Sequence, residues 1–541
     1  MKIFFIKQIQ SNKNCAILEK KLIRQEKMMI TGTLKNKINA IWQAFYNENM
    51  ANTLEIVNQL TTLMFVKMLD DKQNTVEAQG AMIGIQPRDE DLVFKSGNYK
   101  NDDLGIDVPY SKLRWKNFKN LNANDLAKTL KDYVFPFIKD TNSSGGFAFS
   151  KFTKNLTYGF DDRERLLASV VDKLSDEEFD FNNTDLMGDV YEYMCGSGVS
   201  GQYRTPRHII DMAVEMMKPK LGEKIIDPAM GTAGFLVESA KYIKEHQKAE
   251  LLNIQNNINF TDRMFYGCDN DSNMARIGYM NLVLHGVKNP IITKDSLLEG
   301  ENSLDYLGKF DLVLANPPFS GSLVESATDS KLLTITKTKK TELLFVALMD
   351  KLLKVGGRCM TIVPDGVLYG SDTAHKALRM ELINNQKLIG VVSMPNGIFS
   401  APTKKGSASK GAGVKTSFII FEKTNNGGTD GVWFYNMTND GFTLDVKREP
   451  IEGTNIPDVI ERFNNLEGEK TRTRKDVSFI VPVEEIRKNN YDLTINKYKE
   501  IEKETIEHRN EQEIINELAE SHSRAEELMN SLLELISEKG E

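Results

Sequence analysis

Apolar residues in the first third of the chain recur at helical steps. Ile38, Ile41, Trp42 and Phe45, then Leu54, Ile56, Val57, Leu60, Leu63, Met64, Val66 and Leu69, keep one face apolar and predict helix over 34–69. Similar spacing predicts helical pieces over 125–135 and 161–174, with a long polar excursion near 72–110 between them. After a helical segment at 185–193 and a helix over 207–217 the pattern changes. Short apolar runs bounded by turn residues predict buried strands at 224–226, 264–268, near 291, and at 310–315, 359–363, 388–394 and 417–421, with amphipathic helices between them. Strand alternating with helix is the signature of an α/β fold with a doubly wound, mostly parallel sheet. A short β segment at 432–437 and irregular connections come next, and from 498 the chain turns into a charged helix. There Ile514, Leu518, Ala525, Leu528, Leu532 and Leu535 form a narrow seam, suited to a partner helix or to packing back on its own chain.

At 541 residues the chain holds more than one domain, divided here into an extension (1–30), a helical domain (31–175), an α/β domain (176–455) and a helical C-terminal region (456–541). Met28 and Met29 stand before the first good helix, so the extension reads as a loose arm or a misplaced start. The opening MKIFFIK is too short, and the segment after it too charged, for a signal peptide, and no apolar run approaches the roughly 20 residues that cross a bilayer. Four scattered cysteines without a CxxC pair point to a reducing cytosol and no structural zinc. A net charge of −7 is wrong for a chain that grips nucleic acid unaided, so any hold on DNA is local or borrowed from a partner.

The chemistry concentrates at strand ends. The run DLVLANPPFS at 311–320 is a buried strand that stops at Asn316-Pro317-Pro318-Phe319. Two prolines remove two backbone donors and forbid helix, so the Asn316 oxygen and the Pro317 carbonyl project as acceptors from the carboxyl end of the strand, where open α/β sheets keep their sites. Two rigid acceptors can hold both N–H bonds of a conjugated amine, pyramidalise its nitrogen and aim the lone pair at an electrophile. Phe319 adds a face for a planar group. An ordinary Pro-Pro strand exit is the competing reading of the tetrapeptide alone, and its neighbours weigh against it.

Those neighbours are three acidic strand tips and a glycine turn. The strand at 224–226 ends in DPAMGTAGF, where Asp227 supplies a carboxylate and Gly231 and Gly234 let a ligand approach the backbone; the motif is neither GxGxxG nor GxxxxGK[ST]. A carboxylate there favours a cationic ligand over a triphosphate. Asp269 closes the second strand, where a ribose diol is held in doubly wound folds, and Asp295 closes the third. Upstream, Thr205-Pro206 can cap the helix at 207 and leave amides open to a carboxylate, a simple N-cap being the alternative. Phe399 in PNGIF either closes on the opposite face of a substrate ring or sits in the core. A Gly, Ser and Lys-rich insert with Lys404, Lys405, Lys410 and Lys415 comes after it, flexible by composition and able to touch phosphates.

In order, GQYRTPR, DPAMGTAGF, the strand-tip acid, KDSLL, ANPPF and PNGIF with VKTSFIIF resemble the amino-methyltransferases that modify adenine N6 in DNA. More narrowly, with TTLMFVKMLDD, the YEY segment, WFYNMTNDGFTLD and NNYDLTINKY, the chain from about 34 resembles the modification subunit of type I restriction-modification systems. Asp269 stands where that family commonly has Glu, and Tyr203 and Arg204 where its GEFYTP stretch has Phe and Tyr.

The resemblance implies a class I S-adenosylmethionine-dependent methyltransferase fold, with an N-terminal helical domain and a C-terminal helical tail. The cofactor's methionine end would lie near Tyr203, Thr205, Pro206 and the turn of Asp227, Pro228, Gly231, Thr232 and Gly234. Its ribose would lie at Asp269, and its adenine at Asp295 and the Phe319 or Pro318 edges. A flipped-out target adenine would stack on Phe319 and Phe399 and donate to Asn316 and Pro317, with no metal. The implied partners are DNA, a specificity subunit served by two copies of this chain, and a restriction subunit, with the terminal helix as docking element. The rival readings are a protein glutamine methyltransferase and a non-catalytic scaffold of the same fold.

Overall fold

In the computed structural model, residues 32–48, 50, 53–82, 84–89, 92–140, 158–176, 179, 205–399, 414–444, 448–500 and 511–538 are described. The segment expected at 185–193, Tyr203, and Lys404, Lys405 and Lys410 of the basic insert lie outside them. The chain divides into two compact units, Met1–Tyr498 and Lys499–Glu541.

The first unit opens with helices Gly32–Asn47 and Thr53–Met82. The second of these runs through the start of the stretch expected to be a polar excursion, and the rest of that stretch holds a hairpin, β1 (Asn98–Asn101) with β2 (Ile106–Pro109). Polar side chains misled the expectation because they are used internally: Arg114 donates to Asp70 at 2.5 Å and Gln73 to the Phe94 carbonyl at 2.8 Å. Shorter helices, including Ala123–Thr129 and Glu164–Leu174, complete this region.

Nine described strands then form one sheet: β3 (Ile225–Asp227), β4 (Phe265–Cys268), β5 (Ile291–Thr293), β6 (Phe310–Ala315), β7 (Leu353–Pro364), β8 (Lys387–Ser393), β9 (Thr416–Glu422), β10 (Gly431–Asn436) and β11 (Ser478–Pro482). Their order is β11-β10-β8-β9-β7-β6-β3-β4-β5. All pairs are parallel except those of β9 with β7 and β8 and of β11 with β10. Side chains alternate between two buried faces: Leu312, Leu314, Phe418 and Ile420 enter one core, and Val313, Ala315, Ile419 and Phe421 the other. Burial on both sides is why these strands read as continuous apolar runs. The first core is continuous with that of the N-terminal helices, and Arg276 of helix Ser272–Leu284 donates to Asn58 at 2.5 Å across the junction.

The sheet extends past the boundary drawn at 455. Strand β11 pairs with β10, and residues 456–498 belong to the first unit, so the region expected to be a helical tail from 456 is in part the edge of the sheet. Only Lys499–Glu541, with helix Glu511–Glu538, forms a unit of its own.

The strand order reverses between β3 and β6. On one side the chain winds outward through β4 and β5, and on the other through β7 to β11. Such a reversal opens a crevice at the carboxyl ends of the strands.

Candidate functional site

Strands β3 and β6 lie side by side with Ile225 opposite Leu312 and Ile226 opposite Val313, so their exits, Asp227 and Asn316, stand at the same edge of the sheet. Neighbouring strands are about 4.8 Å apart. Asn316, Pro317, Pro318 and Phe319 come directly after β6; Pro317 is buried, Pro318 exposed, and Asn316 and Phe319 half-buried. The Asn316 Nδ2 donates to Thr205 Oγ1 at 2.8 Å, and its Oδ1 is shielded from solvent. That bond changes the expected part of Thr205. Its hydroxyl does not cap helix Arg207–Met217, whose cap position is Pro206, but holds the Asn316 amide instead.

Asp227 is 1% exposed, and its Oδ1 accepts from the Ala229 N–H at 3.0 Å. Burial, aided by the charge of Asp269 and opposed by that N–H, pushes its carboxyl up to about 8. Asp269 accepts from the Gly231 N–H at 3.0 Å and from the Asp271 N–H at 2.9 Å. Burial still raises it to about 6, with Asp271 adding to the rise and the two N–H groups opposing it. Asp295 is exposed and turns on itself, its N–H reaching Thr293 Oγ1 at 3.2 Å. All three acidic tips act on the Cys268 thiol, which burial first and then these charges push up to about 12. β3, β4 and β5 are parallel neighbours, so Asp227, Asp269 and Asp295 leave the sheet at one edge as expected, Asp295 being the exposed one.

The glycine turn after β3 is held from behind. Gly231 has φ +52 and open space where a Cβ would stand, and Ala233 adopts φ +63. Pro228 and Thr232 are buried, and the Thr232 carbonyl accepts from Asn281 Nδ2 at 2.8 Å. At Gly234 a Cβ would meet Ile210 Cδ1 at 2.8 Å, so its missing side chain admits helix Arg207–Met217. A Cβ at Gly278 would come 2.9 Å from the Gly231 carbonyl oxygen, which sets helix Ser272–Leu284 directly under the turn.

Phe399 is buried, and its ring stands at 87° to that of Phe319 with centroids 5.2 Å apart. Of the two expectations for Phe399 the core placement is the one seen, with its ring in contact with Phe319. Perpendicular rings leave no parallel-walled slot between them, so in this conformation Phe399 supports Phe319 rather than opposing it across a gap.

Two carboxylates stand at this edge, one of them inside the protein, and carboxylates suit a cation with hydroxyl groups. This donor set fits the sulfonium, ammonium and ribose of S-adenosylmethionine, and the open space at Gly231 leaves room against the backbone. Sequence reasoning missed His208 and Asp440, paired at 2.9 Å beside the Thr205 helix head. Their only signal is the polar stretch NMTNDGF, whose composition alone suggests no role.

The family description N-6 DNA Methylase matches residues 182–507, and HsdM N-terminal domain matches residues 34–174. The chain is 26% identical over 501 residues to the type I restriction enzyme EcoEI methylase subunit of Escherichia coli, covering 89% of this chain and 92% of that one. It is 30% identical over 405 residues to the StySJI methylase subunit of Salmonella typhimurium, covering 70% and 67%. Among solved structures, a chain from a study of type I R-M assembly and conformational transition aligns with TM-score 0.57 at 25% identity, covering 93% of this chain and 98% of that one. The modification subunit of a type I restriction enzyme from Vibrio vulnificus shares the fold with TM-score 0.61 at 22% identity, covering 85% and 94%.

Proposed function

As a member of the N-6 DNA methylase family with the build of a type I restriction-modification methylase subunit, this chain, we propose, methylates adenine N6 in DNA with Asn316 and Pro317 as the groups that hold the amine. The observation that carries the reading is the side-chain amide of Asn316, pinned by Thr205 one strand from the buried carboxylate of Asp227.

Asp227, Asp269 and the backbone at Gly231 would hold S-adenosylmethionine, with Tyr203, Thr205, Pro206, Pro228, Thr232 and Asp295 around it. When bound, the cofactor supplies a methyl group made electrophilic by an adjacent sulfonium. Everything else is positioning. Thr205 accepts from Nδ2, so the Asn316 amide turns its Oδ1 away from Thr205 as the acceptor for one N6–H bond, and the Pro317 carbonyl takes the other. With both protons held, the lone pair leaves conjugation and points out of the ring plane. Oδ1 is shielded from solvent, so water competes poorly for it. Phe319 offers its ring to the extruded base with Phe399 braced behind it, and base stacking of roughly 1–3 kcal/mol is comparable with the few kcal/mol that extrusion costs. None of the four side chains is a base, and none is needed, because alkylation leaves a proton acidic enough to pass to water. Catalysis is then alignment and electrostatics.

Recognition of sequence falls to partners. The net charge of −7 supports a separate specificity subunit, and helix Glu511–Glu538 carries exposed Ile514, Leu518, Leu528 and Leu532, a seam that suits a partner helix. Two copies of this chain would serve one such subunit, with a restriction subunit joining them. Among the described residues no helix is long and apolar enough to cross a membrane. A glutamine side chain would present the same two N–H bonds, but the HsdM N-terminal domain match over 34–174 argues against a protein substrate. The test is transfer of a labelled methyl group to duplex DNA by the chain with its specificity subunit, with N6-methyladenine as the expected product.

A further inference from the structure

Behind the helix head that carries Thr205, a second set of polar groups is enclosed. Asp440 is fully buried, with Oδ2 at 2.9 Å from Nε2 of His208. The Arg448 guanidinium reaches the same oxygen, while its Nη1 donates to the Thr443 carbonyl at 3.0 Å. Phe442 lies on the imidazole, with centroids 4.6 Å apart and planes at 31°. Burial holds His208 below the usual imidazole range although Asp440 opposes it, and with a carboxylate as its partner the ring donates through Nε2–H. Asp440, which burial alone would raise, is kept below the usual carboxylate range by His208 and Arg448.

The segment around this pair is closed on itself. The Thr443 N–H donates to the Glu449 carbonyl at 2.8 Å and the Ile451 N–H to the Gly441 carbonyl at 2.9 Å. Its other flank rests on the turn that carries Phe399, where a Cβ on Gly397 would stand 2.6 Å from the Leu444 carbonyl oxygen. One cinched loop thus touches both walls of the site. On one side is the helix head whose Thr205 holds Asn316, and on the other the turn whose Phe399 braces Phe319.

Enclosing a carboxylate and its partners costs more than packing the same loop with apolar side chains, so this arrangement gains little in stability. What it gains is direction: hydrogen bonds fix where the loop sits along the helix. We propose that Asp440 is a positioning residue for methyl transfer, tying the loop to His208 so that the Asn316 wall and the Phe319–Phe399 wall stand at the separation that seats the extruded base. The proposal rests on the adenine-N6 reading.

The experiment uses the full chain with its specificity subunit, single-turnover methyl transfer on its target duplex, and a second duplex with 2-aminopurine at the target position. Asp440→Asn leaves one neutral oxygen for His208 and Arg448, withdraws the charge that ties them and puts an NH2 at the buried Oδ1 position; Asp440→Ala removes both contacts. Both are expected to slow single-turnover transfer about 10- to 100-fold and to diminish the 2-aminopurine fluorescence gain, with affinities for cofactor and duplex unchanged. Arg448→Met, which leaves the His208 bond in place, is expected to give a smaller version of the same defect. Unchanged rate and fluorescence in both Asp440 variants overturns the proposal. So does loss of duplex affinity, cofactor affinity and melting temperature together in Asp440→Asn and Arg448→Met, which would make the loop a fold element only. A wild-type complex that leaves adenine unmethylated would instead overturn the reading beneath it.

Discussion

Asn316 Nδ2 donates to Thr205 Oγ1 at 2.8 Å, joining the exit of β6 to the head of helix Arg207–Met217. An asparagine amide has two near-isosteric orientations, and only one presents oxygen to an amine. Thr205→Val removes the hydroxyl that anchors the amide in that orientation, a loss of about 1 kcal/mol for a neutral hydrogen bond. Methyl transfer should fall about five- to tenfold in single-turnover assays, with Thr205→Ser close to wild type. Equal rates for Val and Ser would remove Thr205 from this role.

Asp227 ties cofactor binding to pH. Its folded carboxyl titrates near 8 against an ordinary value near 4, so between those limits the folded chain binds the extra proton and stability falls as pH rises, levelling off above 8. Binding a cation requires the ionised form, so affinity should rise with pH over the same interval and binding at pH 7 should release a proton. Calorimetry in buffers of different ionisation enthalpy measures that release. Asp227→Asn should melt several degrees higher than wild type at pH 8 while losing the cofactor; a lower melting temperature at that pH would contradict the assignment.

Gly278→Ala inverts the usual helix rule. Alanine is favoured over glycine inside a helix by about 1 kcal/mol, yet here its Cβ would press on the Gly231 carbonyl at 2.9 Å, backbone that cannot swing aside. The variant should lower both melting temperature and cofactor affinity. Gly234→Ala meets only the far end of Ile210 and should cost stability by at most about 1–3 kcal/mol while leaving affinity nearly intact. Thermal melting and equilibrium dialysis of both variants decide whether the turn is shaped from beneath.

Truncation after Tyr498 should leave the first compact unit and its cofactor affinity in place, because β11 and residues 456–498 remain with the sheet. Association with the specificity subunit should be lost. Unaltered co-purification of the truncated chain would reject the terminal helix as the docking element.

Much of this architecture was legible because buried parallel strands leave a plain mark. Phe310–Ala315 was placed to the residue, since an apolar run ending in Asn-Pro-Pro has one sensible reading. Strand β11 was not, because Ser478–Pro482 is a short run opened by a serine and closed by a proline, which reads as loop although Phe479 and Val481 are fully buried. The helix to Met82 was cut short for the opposite reason: Asp70 and Gln73 look like surface residues but are buried with partners drawn from far along the chain. At the site, Asp227, Asp269 and Asn316 were legible from strand-end spacing. The packing part of Gly234 was not legible, because a glycine that admits Ile210 and one that admits a ligand look alike in sequence. The His208–Asp440 pair was invisible, as its members are 232 positions apart and neither lies at a predicted strand tip.

The central claim is that Asn316 presents its oxygen to an adenine amine beside a cofactor edge built on Asp227. The direct measurement is labelled-methyl transfer to target duplex by the complex with wild-type chain and with Asn316→Ala, followed by nucleoside analysis. The account predicts N6-methyladenine from the wild type, and nearly complete loss of transfer in the variant with cofactor affinity retained. Transfer by Asn316→Ala at the wild-type rate, or label appearing on protein glutamine instead of adenine, would contradict it.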